Sequence, residues 1–143
     1  MENDTLKLLR ECDSGVQMGV SSIEDVISDI KDNTFRTILN DCKAEHERLR
    51  DELQNALDEY GDDGKAPNPM AKGMSWMKTN VMMAVKDSDA TAADLMTDGC
   101  NMGVKSLSKY LNKYKGADAR SKALTGRLIG LEEQLAVDIR PYL

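Results

Sequence analysis

His46 is the only histidine in the chain, and Cys12, Cys42 and Cys100 are the only cysteines. These side chains have the most capacity for metal or nucleophilic chemistry, and their spacing argues against most of it. A nucleophilic site needs a thiol or hydroxyl beside a positioned base, and a single histidine with no obvious partner is a poor start. The cysteines are odd in number and widely spaced, with no Cys-x-x-Cys pair, and each falls on an apolar stripe. They read as small buried core residues in a reducing compartment. Methionines recur at 18, 70, 74, 77, 82, 83, 96 and 102, but no Met-x-x-Met cluster is backed by a histidine or a second cysteine, so core packing by flexible thioethers is expected. GCNMGVKS (99–106) has the letters of a phosphate loop, yet it lies inside a helical pattern with no strand before it.

The elements that must carry these residues are helices. The chain has 143 residues, few aromatics, and only Pro67, Pro69 and Pro141 as helix breakers. This composition suits one all-α domain with a real core. The net charge of −6 argues against a general nucleic-acid binder. The charge is uneven, with 17 acids and 7 bases in residues 1–63 against 8 acids and 12 bases in residues 64–143. Opposite charge on the two halves would help them pair; solvated helix faces of different sign are the plainer reading. MENDTLKLLREC is acidic and amphipathic, unlike a secretory signal, and no apolar run approaches the roughly 20 residues of a membrane span. A cytoplasmic protein without membrane contact is expected.

Along the chain, Leu6, Leu9, Cys12, Val16, Val20, Ile23, Ile27 and Ile30 recur at three- and four-residue steps, the period of a helix with one buried face. Asp32-Asn33 marks a tight turn. A second helix follows with Phe35, Leu39, Cys42, His46, Leu49, Leu53 and Ala56, ending at Tyr60-Gly61. GDDGKAPNP (61–69) is a loop by composition, and residues 70–86 read as a shorter helix. A further helix is expected from about Thr91 to Lys115, capped by Ser88 or Asp89, and a last one from Asp118 to about Arg140.

Two stretches align without a gap at an offset of 84: DSGVQMGVSSIEDVISDI (13–30) and TDGCNMGVKSLSKYLNKY (97–114). Gly15 meets Gly99, Met18 meets Met102, Gly19 meets Gly103, and apolar positions meet apolar positions. The following helices align more weakly at an offset of 86, pairing Cys42 with Leu128, His46 with Glu132, Leu49 with Leu135 and Leu53 with Ile139. The chain therefore reads as two related antiparallel hairpins, 3–60 and 90–141, joined by a crossover over 61–89. If they pack about a pseudo-twofold, the second and fourth long helices run the same way, and the crossover must travel back along the bundle.

With its glycine-containing first helix (DSGVQMGVSSIEDVI), its second helix ending ERLRDELQNAL then Tyr-Gly, its MSWMK crossover and its SLSKYL segment, the chain resembles the ferritin-like superfamily, and in particular small bacterial ferritin-like domains of unknown function. The resemblance implies an all-α, ferritin-like four-helix bundle whose long crossover contains a short extra helix. Homodimerisation is plausible for that superfamily, and nothing in the sequence fixes it.

Ferritin-like enzymes hold two metals with a Glu on the first helix and Glu-x-x-His on the second helix of each hairpin. Here Lys43 stands three residues before His46, and the second hairpin has no histidine. The central inward positions are Val16 and Gly19 on one side and Cys100 and Gly103 on the other, with Asp13 and Asp98 off to the side. Glu132 is the one central carboxylate. No metal or other cofactor is expected. What remains is a candidate mid-bundle site of Gly19, His46, Gly103, Glu132, Cys42 and Cys100. Counting back from each hairpin turn puts Gly19 near the level of His46 and Gly103 within about one turn of Glu132. Either helices close in over the glycines, or bulky side chains fill the gap. His46 is then either a half-exposed or hydrogen-bonded helix histidine, with Glu132, flanked by Glu133, on a solvated face, or the two form a buried pair.

The function this supports is non-catalytic: a structural or interaction bundle that has lost its metal site. A metal or small-molecule binder using the mid-bundle position is the alternative. A third reading uses Met74, Trp76 and Met77 on the crossover as a surface for a protein partner.

Overall fold

The computed structural model describes residues 2–62 and 88–143. The crossover helix expected over 70–86, and with it the surface of Met74, Trp76 and Met77, lies outside the described residues. Four helices account for most of the rest: α1 (Glu2–Ile27), α2 (Asn33–Glu59), α3 (Asp89–Lys113) and α4 (Ala119–Asp138), followed by a 3₁₀ turn over Arg140–Tyr142. They form an all-α bundle of two antiparallel hairpins, α1–α2 and α3–α4.

Local chemistry sets the boundaries. Asp32 caps α2 by accepting from Phe35 N at 2.8 Å, Ser88 caps α3 by accepting from Thr91 N at 3.1 Å, and Asp118 caps α4 by accepting from Ser121 N at 2.7 Å. Gly61, with φ of 66°, takes the left-handed position after α2. α1 stops at Ile27 rather than running to Ile30, because Asp29 N and Ile30 N turn back to the carbonyls of Val26 and Ile27. Ile30 is still buried, in the turn. At the C-terminus, Tyr142 stacks on Phe35 of α2 with ring centroids 4.5 Å apart.

Two apolar clusters fill the bundle. One holds Ile23, Val26, Phe35, Leu39, Met96, Cys100, Leu135 and Ile139, and the other holds Leu9, Val16, Leu49, Leu53, Leu107, Leu124 and Leu128. The sequence offsets exchange them: Val16, Leu49 and Leu53 lie in one cluster while their counterparts Cys100, Leu135 and Ile139 lie in the other, and Ile23 and Leu107 are exchanged in the opposite sense. α1 ends, α2 begins, α3 begins and α4 ends at the first cluster, so α2 and α3 run the same way. The chain has to cross from one end of the bundle to the other between them, a distance of about 40 Å for a 27-residue helix.

The same exchange appears at the turns. Asp89, in the first turn of α3, accepts from Lys31 N and Asp32 N at 2.9 Å each. Its counterpart at offset 84 is Thr5 in the first turn of α1, and Thr5 Oγ1 accepts from the N–H of Asp118, the counterpart of Asp32, at 2.9 Å. Asp4 adds a bond from Gly116 N at 2.9 Å. Each hairpin's turn is thus held by the opening turn of the other hairpin.

The bundle is not square. α1 packs on α2, α3 and α4, and α4 likewise packs on all three others, whereas α2 and α3 hardly meet. The short diagonal runs between α1 and α4. It separates the paired glycines: a methyl on Gly15 of α1 would lie 3.2 Å from Leu128 of α4, whereas one on Gly99 of α3 meets nothing within 4 Å. Gly126 and Gly130 also face open space. Met102 is 67% exposed, against the expectation that it packs in the core, because α3 turns that face away from its neighbours.

Candidate functional site at the centre of the bundle

Between the two apolar clusters lies a polar contact. His46 sits midway along α2, four residues after Cys42 and three before Leu49, on the stripe that buries Leu39, Leu49 and Leu53. Its ring is 1% exposed. Nε2 lies 2.9 Å from Oε1 of Glu132 on α4, and Nδ1 lies 2.8 Å from the carbonyl oxygen of Cys42, one helical turn back. Cys42 Sγ is 3.5 Å from the same nitrogen. A carbonyl can only accept, so Nδ1 carries a proton and donates it. Nε2 faces a carboxylate and donates to it in the ionised pair.

Burial of the ring works against charging it, but hydrogen bonding to Cys42 and to Glu132 outweighs burial and raises His46 to about 10. The favoured state is an imidazolium held between a carbonyl and a carboxylate, with both nitrogens committed. Glu132 is 12% exposed at its side chain, with the Cys100 thiol beside it. Burial, followed by the charge of Glu132, pushes that thiol up. A thiol in this state is a poor nucleophile.

The glycines complete the geometry. A methyl on Gly19 would fall 2.7 Å from both Cδ2 and Nε2 of His46, so the imidazole occupies the space that a side chain at 19 would need. A methyl on Gly103 would lie 3.6 Å from Glu132 Oε2, an ordinary contact. The structure therefore brings Gly19, His46, Gly103 and Glu132 together, with Cys42 beneath His46 and Cys100 beside Glu132.

Asp13 forms a second buried polar group: it is 0% exposed and accepts from Gln17 Nε2 at 2.8 Å and from Gln54 Nε2 at 3.0 Å. Asp98, at its counterpart position, is exposed. The signal was present in the sequence, since Gln17 stands one helical turn after Asp13 with its amide in reach. Nearby, Cys12 is fully buried, and burial raises its thiol to about 12.

The ligand set of a ferritin-like dinuclear centre does not fit these residues. Such a centre needs several anionic oxygens converging on two cations, and at the bundle centre Gly19, Gly103 and Cys100 supply none. His46 has no free nitrogen to offer. Among the described residues, no group of three or more His, Cys, Asp or Glu side chains is arranged to hold a metal ion. Among the described residues, no helix is long and apolar enough to cross a membrane. No protein-family model matches the chain, and no curated protein or solved structure matches it either.

Proposed function

We propose that this chain is a non-catalytic helical-bundle protein with a structural or interaction role, built on the ferritin-like plan over residues 1–143, with a buried ion pair where that plan places its metal ligands. The observation that carries this reading is the His46–Glu132 contact of 2.9 Å at the centre of the bundle. It uses the histidine and the carboxylate that a metal would need, and the imidazole fills the volume beside Gly19. The free cysteines Cys12, Cys42 and Cys100 support a reducing, cytoplasmic setting. A homodimer remains part of the proposal, and the acidic overall charge speaks against nucleic acid as a partner.

The test is metal analysis of untagged protein purified from its own host, followed by titration with Fe²⁺, Mn²⁺ and Zn²⁺ under NMR observation of the His46 ring. The expected result is no stoichiometric metal and an unmoved imidazole signal. Roughly one equivalent per chain, with the His46 signal shifted or broadened, overturns the reading in favour of a mid-bundle metal binder.

A further inference from the structure

His46 and Glu132 are each other's counterparts under the offset of 86, and they touch. A residue that contacts its own counterpart lies on the axis relating two packed units. Away from the axis the hairpins differ, since α1 packs on α4 while α2 and α3 hardly meet, but the apolar positions closest to the axis carry little information about which hairpin is which. Val16 and Cys100, Ile23 and Leu107, Leu49 and Leu135, and Leu53 and Ile139 are all buried, so either hairpin offers much the same apolar stripe. The turn contacts do not discriminate either, since Thr5 and Asp89 both accept from the turn they face. On these contacts alone, a first hairpin could pack on the first hairpin of another copy.

We propose that the His46–Glu132 pair is the partner-selecting element of the hairpin interface: it lets the first hairpin accept the second and refuse a copy of itself. In a pairing of two first hairpins, His46 meets His46. Each Nδ1–H is committed to a Cys42 carbonyl, so two Nε2 lone pairs face one another. They are satisfied only if one ring takes up a proton, which leaves a buried cation with no carboxylate. In a pairing of two second hairpins, Glu132 meets Glu132, and two carboxylates share a dry site.

A second row of contacts points the same way for the first hairpin. Arg127 Nη1 of α4 reaches Glu52 of α2 at 2.6 Å, and Arg120 Nη1 reaches Glu59 at 2.7 Å. At offset 86 the counterparts of Arg127 and Arg120 are Asp41 and Thr34. A first hairpin packed on itself therefore sets Glu52 against Asp41, a like-charge contact, and leaves Glu59 without its arginine. Specificity here comes from penalties on the wrong partner more than from the strength of the right one. The kind of partner the interface fits is a hairpin of opposite polarity at its midpoint. A second copy of this chain meets that requirement only by reciprocal exchange, first hairpin on second.

Two full-length variants test this. The exchanged double variant His46→Glu with Glu132→His keeps one of each residue at the axis, and Gly103 leaves room for a ring at 132 just as Gly19 does at 46. Its folding equilibrium constant in urea denaturation should exceed those of both single variants, His46→Glu and Glu132→His, by about tenfold or more. If the singles do not fold, the double variant must. A double variant no better than the singles overturns the proposal.

The second variant is His46→Leu with Glu132→Leu, which removes the polarity and keeps the packing. Refolded from urea and read by light scattering after size exclusion, it should give a mixture of self-associated species where the wild type gives one. A distribution identical to the wild type's overturns the proposal. A pair that merely stabilised the bundle would change the denaturation midpoint and leave the distribution alone.

Discussion

The imidazole of His46 lies against Gly19 so closely that a methyl group on that glycine would sit 2.7 Å from two ring atoms. The ring cannot swing aside without breaking the hydrogen bonds at both nitrogens. Gly19→Ala should therefore destabilise the protein by about 1–3 kcal/mol through overpacking, despite the better helix propensity of alanine.

Gly126→Ala and Gly130→Ala should do the opposite. Both glycines lie mid-helix with nothing near a built methyl, so each substitution should stabilise by roughly 0.5–1 kcal/mol. Urea denaturation of the three single variants gives the signs directly.

Stability should fall at alkaline pH through His46. The folded value, about 10, lies above the ordinary 6.5, so the folded state holds the proton more tightly than the unfolded chain does. The stabilisation is fully present below pH 6.5 and is lost as pH rises through 10. Denaturation of wild type and His46→Gln at pH 6, 8 and 10 checks this: the gap between them should shrink as pH rises. Nitrogen NMR of the ring at pH 8 should show both nitrogens protonated.

Thiol labelling should divide the cysteines. Cys12 and Cys100 are buried with raised thiols, whereas Cys42 is half-buried. At pH 8 a thiol reagent should modify Cys42 first and reach the other two only when urea opens the bundle. Peptide mapping after a short exposure identifies which sulfur reacted.

Removing the cap at the start of α4 should weaken the second hairpin. Asp118→Ala loses the acceptor for Ser121 N and should cost about 1 kcal/mol. Ser88→Ala should act similarly on α3 through Thr91 N.

Much of this arrangement is legible in the sequence because it depends on period and register. The stripe from Leu9 to Ile23 and its partner through Leu107 define inward faces, and Asp32, Ser88 and Asp118 mark helix starts by side-chain type. Counting back from each turn puts Gly19 near the level of His46 and Gly103 within about one turn of Glu132, and the offset of 86 makes His46 and Glu132 counterparts. What is not legible comes from the shape of the cross-section. Gly15 and Gly99 occupy matching places in the pattern, yet one faces Leu128 and the other faces solvent. The reason is that α1 lies on the short diagonal and is surrounded, while α3 sits at a corner. The same asymmetry buries Asp13 and exposes Asp98 and Met102. A repeat in one dimension does not say how far two helices are pushed apart.

Turns are ordinarily the first amides of a helical protein to exchange with solvent, because no ladder protects them. Here the N–H groups of Lys31 and Asp32 are bonded to Asp89, and those of Gly116 and Asp118 to Asp4 and Thr5. Each of these protons is held by a side chain of the opposite hairpin, so deuterium uptake at these four positions, ahead of the helix ladders, gauges how firmly the two halves grip one another.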